Sequence, residues 1–260
     1  SRPALLAAQA LQPPLLAYDC HDDFAGFHGG RYGISRTEAE LVARAELVFA
    51  SSQALLAHVR AIGKEARLLP NAVDPARFQG SHPRPEALSG LRPPVVGYVG
   101  EVGPWFDTAS VARLARERPS WSVVLVGPVT HPSPGDLLSL PNVHALGPVG
   151  YDQVPAFLAH FDCGLVPFVL SPLTHAMDPV KLYEYLAAGL PVVSTPLAEV
   201  QRLGDLVIVG EGPALSAAVQ RALDQRGPDQ VAARQRFAAA NTWMGRVETL
   251  VRIFEERAPS

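Results

Sequence analysis

Two charged side chains three residues apart, Lys181 and Glu184, are the first place in this 260-residue chain where residue type and spacing suggest chemistry. They sit in "DPVKLYEYLAAGLPVVSTP", residues 178–196. Asp178 suits an N-cap and Pro179 the first helical position, so the sequence predicts a helix that starts here. The unpaired amides and dipole of a helix N-terminus attract anions, and Lys181 in the first turn adds a mobile positive charge. Glu184, near the same face, offers a carboxylate that can grip a diol. Leu182, Leu186 and Gly189 follow the spacing of a helix packed on a sheet, and Ala187, Ala188 and Gly189 let helix and strand backbones approach before "PVVST". Together these features fit a diphosphate at a helix tip and a ribose hydroxyl pair held by a glutamate. The same spacing also fits a solvated pair contributing about 0.2–0.5 kcal/mol to the helix, and spacing alone does not choose between the two.

Other clusters carry weaker patterns. "GYVGEVG", residues 97–103, reads GxxGxxG and misses the GxGxxG of a dinucleotide fold. It suits either a phosphate loop or a tight strand-to-helix turn. "DCHDDF" places His21, Asp22 and Asp23 after an apolar run, with His28 nearby. That spacing matches no recognised metal-ligand set, and its carboxylates can cap the next segment, so a place at an interdomain cleft is the better expectation. His175 precedes the Lys181 helix, where it either touches a ligand or sits in a loop. "FASSQ" lacks the flanking glycines of a nucleophile elbow, which makes Ser51 or Ser52 a helix cap. Trp105 and Phe106 read as packing or cleft residues. With no Asp-x-Asp motif and no His/Cys ligand set, neither a metal nor a bound cofactor is expected.

The elements that position these residues alternate. "PPVVGYVG", "WSVVLVG", "NVHALG", "DCGLVPF", "PVVSTP" and "DLVIVGE" read as strands, separated by helical patterns near 107–118, 151–160, 179–188 and 214–225. Short Val/Leu/Ile runs alternating with amphipathic helices indicate an α/β fold, a doubly wound parallel sheet covered on both faces. The first part has fewer pieces: "PLLAYDC", a helix over 35–44, "AELVFASS", a helix reaching Ile62 and a short strand "ARLLP". Between the parts, "PNAVDPARFQGSHPRPEALSGLRPP" carries six prolines, as a stiff linker does. The expected division is 1–76 for the partial N-terminal domain, 77–94 for the linker and 95–260 for the complete one. A net charge of −3 and pI near 6.2, with no Lys/Arg block, argue against a nucleic-acid partner. Two distant cysteines, Cys20 and Cys163, on or beside predicted buried strands, read as reduced core thiols and point to the cytoplasm. No signal peptide and no membrane span is read from the sequence.

The stretch 178–196 closely resembles the donor-binding segment of the retaining GT-B glycosyltransferases of the glycosyltransferase 4 type, in the bacterial polysaccharide and teichuronic-acid-type branch. "VVGYVGEVGPWFDTASVARLARERPSWSVVLVGPV" is similar to that branch's first donor-domain strand, loop, helix and second strand. "LPNVHALGPVGYDQVPAFLAHFDCGLVPF" resembles its nucleobase-binding stretch and "NTWMGRVETL" its final helix, which packs back on the N-terminal part. "YDCHDDFAGF", "AELVFASSQALL" and "LLPNAVDPARF" resemble the end of its acceptor domain and the crossing between domains. The resemblance implies a GT-B-like, Rossmann-like architecture and sugar transfer from a UDP- or GDP-sugar to a glycan or lipid-linked hydroxyl. Configuration would be retained without a metal, and the setting would be cell-surface polysaccharide or glycoconjugate synthesis. Peripheral association with the inner membrane face is left open. Donor contacts are implied at Gly100, Glu101, Gly103, Val149, Tyr151, Asp178, Pro179, Val180, Lys181, Leu182 and Glu184. No catalytic residue is fixed, the candidates being His21, Asp22 and His175. The chain departs from the family's pattern where Ala176 stands in place of the first of two glutamates, and Ala72 in place of a glycine. The opening strands of the N-terminal domain are also absent from it. A nucleotide-sugar-binding protein without catalysis is the competing reading, and a nicotinamide-dependent oxidoreductase a more distant one.

Overall fold

The computed structural model describes residues 2–11, 13, 15–23, 26 and 34–256, so His28 lies outside the described residues. In chain order the elements are α1 (Arg2–Leu11), β1 (Ala17–Cys20), α2 (Ile34–Arg44), β2 (Leu47–Ala50), α3 (Gln53–Ala61), β3 (Arg67–Leu68), β4 (Val95–Val99), α4 (Thr108–Glu117), β5 (Ser122–Val126) and β6 (Val143–Gly147). There follow α5 (Val154–Leu158), β7 (Cys163–Val166), α6 (Pro172–Ala176), α7 (Val180–Ala187), β8 (Val192–Ser194), α8 (Ala198–Gln201), β9 (Ile208–Val209), α9 (Leu215–Leu223), α10 (Pro228–Ala240) and α11 (Trp243–Glu255). The chain divides into two compact units. One comprises Ser1–Asn71, Leu170–Asp178 and Leu197–Glu199, the other Ala72–Val169, Pro179–Pro196 and Val200–Ser260.

In the first unit β1, β2 and β3 form a parallel sheet in that order, with Ala17 to Cys20 paired to Leu47 to Ala50. Its core gathers Cys20, Val42, Val48, Leu55, Val59 and Ala176. Ser52 caps α3 as the sequence predicts: its Oγ accepts from the Leu55 amide at 3.1 Å and donates to the Ala176 carbonyl at 2.7 Å. Helix α1 stands where the sequence reading placed no element.

The second unit carries a six-stranded, wholly parallel sheet in the order β6-β5-β4-β7-β8-β9. Central strands such as "SVVLV" are buried at every residue, which is why they read as unbroken apolar runs. Chain order reverses between β4 and β7, the place where open α/β sheets leave a crevice beyond the strand ends. These strands pair only at Val96 with Cys163 and Gly97 with Gly164. Both glycines make room for rings: a Cβ on Gly97 would lie 2.0 Å from Phe161, and one on Gly164 2.5 Å from Tyr185. Where the strands part, the Val99 amide donates to the Tyr185 hydroxyl at 2.8 Å, so the second tyrosine of "YEY" closes the gap.

Gly189 ends α7 with φ +72°, but the close approach it permits differs from the expected one. A Cβ there would meet Val231 of α10 at 2.7 Å, so the glycine admits a helix and not the following strand. Helix α10 itself, "PDQVAARQRFAAA", was not anticipated because its apolar residues form no clear stripe. It also supplies Arg234, only 3% exposed, whose guanidinium donates to the carbonyls of Gly189 at 3.2 Å and Gln225 at 2.8 Å. These oxygens lie just past α7 and α9, where carbonyls lack helical partners and a cation is favoured. Among the described residues no helix is long and apolar enough to cross a membrane.

Candidate functional site

At the β4/β7 reversal the loop after β4, the segment after β7 and the first turn of α7 come together. Past Val99 the chain turns through Gly100 at φ +136°, its amide donating to Val126 at 2.8 Å. A Cβ on Gly127 would fall 2.1 Å from the Gly100 carbonyl, so the loop after β5 presses directly on the loop after β4. Tyr98 donates its hydroxyl to the Glu101 carbonyl at 2.8 Å, and Thr130 donates to the Glu101 carboxylate. Gly103 lies against the Trp105 ring, while Phe106, fully buried, meets Tyr98 edge-on at 4.8 Å. Trp105 and Phe106 thus pack the loop rather than offer a stacking platform.

Lys181 reaches into this loop. Its Nζ lies 5.3 Å from the Tyr98 ring centroid and 5.0 Å from that of Phe168. A Cβ on Gly100 would stand 3.1 Å from the Lys181 Cε and 3.4 Å from its Nζ. Burial lowers the ammonium to about 8, partly offset by Glu184. An ammonium held over two aromatic faces beside a glycine loop is poised to meet an anion.

The start of α7 corrects the sequence reading. Pro179, not Asp178, is the N-cap, and no side chain caps the helix. The Asp178 carboxylate is claimed by the Asn71 amide at 2.7 Å, and the Asp178 carbonyl accepts from the Asn71 side chain at 2.5 Å. A charge-assisted bond to a distant backbone amide outcompetes the local cap. Asp178 therefore groups with the first unit, as do His175 on α6 and the pair His21 and Asp22, 3.8 Å apart. Burial raises the Asp22 carboxyl. Asp23 accepts from the Gly26 amide at 2.9 Å. Gly100, Glu101, Gly103, Val149, Tyr151, Pro179, Val180, Lys181, Leu182 and Glu184 all belong to the second unit. Pro179 is buried and Val180 exposed. Leu182 packs into the core at 1% exposure with its amide bonded to Pro179 at 3.0 Å, which leaves it no free group to offer.

Glu184 is 7% exposed and accepts from the Tyr151 hydroxyl at 2.9 Å. Burial raises its carboxyl, against the lowering effects of Tyr151 and Lys181, and the Tyr151 phenol is pushed up to about 12 by burial and Glu184. Arg77 lies over the Tyr151 ring at 5.2 Å and Phe78 meets it edge-on at 6.5 Å. Val149 sits half-buried two residues before Tyr151. Sequence reasoning missed Tyr98, Phe168 and Arg77. The first two lie within or just past apolar runs that read as core, and Arg77 within a stretch read as linker.

The first unit holds a second buried carboxylate that no motif announced. Glu38, 6% exposed, accepts from the Tyr18 hydroxyl at 2.9 Å and the Cys20 thiol at 3.7 Å, with His58 Nε2 at 3.4 Å. Burial and Glu38 push the Cys20 thiol up to about 12, and burial does the same to Cys163, so both free cysteines are core thiols. Among the described residues no three His, Cys, Asp or Glu side chains converge as a metal site.

Residues 93–225 match the family described as Glycosyl transferases group 1. A Bacillus subtilis (strain 168) protein named as a teichuronic acid biosynthesis glycosyltransferase, TuaH, is 30% identical over 252 residues, 87% of this chain and 63% of its own length. The chain thus spans less than two thirds of that relative. The fold is that of solved GT-B structures. Anabaena Alr3699/HepE, solved with UDP and glucose, superposes with a TM-score of 0.79 at 18% identity, over 98% of this chain and 76% of that one. Sucrose-phosphate synthase from Thermosynechococcus elongatus superposes with a TM-score of 0.70 at 16% identity, over 97% and 71%.

Proposed function

This chain belongs to the glycosyl transferases group 1 family, and from that premise we propose that the protein moves a sugar from a nucleoside-diphosphate-sugar to an acceptor hydroxyl. The observation that carries the proposal is the meeting of Lys181, the Gly100 loop and the uncapped tip of α7 at the strand reversal, with the buried Glu184 one turn along. As the glycosidic bond breaks, the diphosphate gathers negative charge while the sugar acquires oxocarbenium character. The helix tip and Lys181 stabilise that charge in place of a divalent cation. Glu184 accepts from the ribose hydroxyls. The acceptor oxygen attacks from the face the diphosphate leaves, its proton passing to the departing phosphate, so the configuration is retained with no side-chain nucleophile. The binding of UDP in Alr3699/HepE supports a uridine donor, and the likeness to TuaH supports a glycan or lipid-linked acceptor in cell-surface polysaccharide synthesis. The reaction is read as cytoplasmic or at the inner membrane face, a reading supported by the likeness to TuaH.

Calorimetry with UDP, GDP and NAD tests the reading. Nucleoside diphosphates should bind in preference to NAD, and their binding should survive EDTA. Equal affinity for NAD, or an absolute need for Mn²⁺ or Mg²⁺, overturns it. One observation favours binding without transfer: Ala176 packs in the core of the first unit, its carbonyl taken by Ser52, where the family's pattern puts a glutamate. Release of free sugar from UDP-sugar in the presence of the protein separates the two readings.

A further inference from the structure

Under the function proposed above, Glu184 holds ribose, and the structure adds a device that acts on Glu184 itself. A carboxylate as buried as this one has lost most of its water, and desolvation favours its protonated form. Among the described residues a single hydrogen bond reaches it, from the Tyr151 hydroxyl at 2.9 Å to Oε1. Tyr151 is an odd residue for mere packing, since it is 52% exposed while its phenol oxygen sits on a group that is 7% exposed. Its ring is braced: Phe78, 3% exposed, meets it edge-on at 6.5 Å, and Arg77 lies over it at 5.2 Å. Arg77 is in turn 3.8 Å from Asp74, whose carboxylate caps the turn over Pro75–Arg77 through the Ala76 amide at 3.2 Å. A turn, a cation and a second ring therefore brace one phenol, and that phenol ends on one carboxylate oxygen.

We propose that Tyr151 is a positioning residue that fixes one oxygen of Glu184 before nucleotide arrives, leaving the other as the acceptor for a ribose hydroxyl. The phenol does two things there. It restricts the carboxylate to one rotamer, and it favours the ionised form that a hydroxyl donor needs. The ionisable groups around this pair are Lys181 and Tyr185 on the helix of Glu184 and Arg77 and Asp74 beside Tyr151. Lys181 and Tyr151 both favour the carboxylate, and burial opposes them. Removing the phenol raises the Glu184 pKa further. Affinity that depends on the carboxylate is lost as pH falls through that pKa, so the loss begins at a higher pH in the variant.

The test is Tyr151→Phe in the chain as it stands, titrated calorimetrically with UDP and with 2′,3′-dideoxy-UDP across about pH 5 to 7, the span below the Lys181 titration. The expected result is roughly tenfold weaker UDP binding at neutral pH. The acid limb should move upward, the melting temperature should hold, and dideoxy-UDP, which offers no ribose hydroxyl, should bind variant and wild type alike. A merely structural tyrosine would weaken both ligands equally and leave the acid limb in place, and that result overturns the proposal. So does UDP binding unchanged in the variant. Glu184→Gln separates this failure from failure of the ribose reading. If wild type and Glu184→Gln bind UDP equally, the ribose reading falls. If Glu184→Gln loses UDP while Tyr151→Phe keeps it, only the positioning role falls.

Discussion

Among the described residues each unit buries one glutamate and hands it a tyrosine hydroxyl at 2.9 Å, yet the two carboxylates have different company. Glu38 in the first unit also receives the Cys20 thiol and faces His58, so both of its oxygens are engaged. Among the described residues, Glu184 in the second unit has Tyr151 alone as side-chain hydrogen-bond donor. Burial of a charge is tolerated when its partners are complete, and an incomplete set marks a place where something else is meant to bind. Low exposure and a tyrosine partner therefore do not distinguish a structural carboxylate from a functional one. The unfilled lone pairs do.

Breaking each network tests the contrast most directly. Glu38→Ala leaves the half-buried Tyr18 hydroxyl and the buried Cys20 thiol without their acceptor and opens a void, and should lower stability by about 3 kcal/mol in urea unfolding while UDP affinity is kept. Comparable stability in the variant would show that the first network carries no load. Glu184→Ala should reverse the pattern, costing about 2 kcal/mol of UDP affinity, as for a lost bond to a charged group, with a smaller change in the unfolding midpoint. A tyrosine that touches neither carboxylate sharpens the comparison. Tyr185→Phe removes the acceptor of the Val99 amide at the strand reversal and should cost about 1–2 kcal/mol of stability, read in the same unfolding experiment. Lys181 supplies a pH signature. Its ammonium titrates near 8 in the free protein, so diphosphate affinity should hold below that pH and fall a few-fold by about pH 9, a decline that Lys181→Arg should abolish. The smallest effect belongs to an exposed pair, Arg36 with Glu40 at 3.3 Å, where Arg36→Ala should shift stability by no more than about 0.5 kcal/mol.

Much of the second unit was legible because parallel strands buried on both faces leave unbroken apolar runs, and "VVGYV", "SVVLV" and "CGLV" fell where strands formed. Lys181 and Glu184 were found through their spacing on one helix, a relation between near neighbours in sequence. What stayed hidden was long-range. Asp178 satisfied every local rule for an N-cap, and an amide 107 residues away took its carboxylate instead. Helix α10 escaped because its apolar residues form no stripe, although Arg234 and Ala238 give it a buried side. Arg77 was read as linker because six prolines around it signalled a spacer, and nothing local shows that its guanidinium will lie over Tyr151.

The guanidinium of Arg234 has a consequence for ligand binding although it faces no ligand. It moors the tail of α7 at the Gly189 carbonyl, while the tip of the same eight-residue helix carries Lys181, with Glu184 one turn along. An α-helix of that length is a strut about 12 Å long, stiff along its axis, so anchoring one end fixes the other. The loss of disorder needed to bring the tip into place is then incurred when the chain folds, and an arriving nucleotide spends its interactions on affinity instead of on ordering the protein.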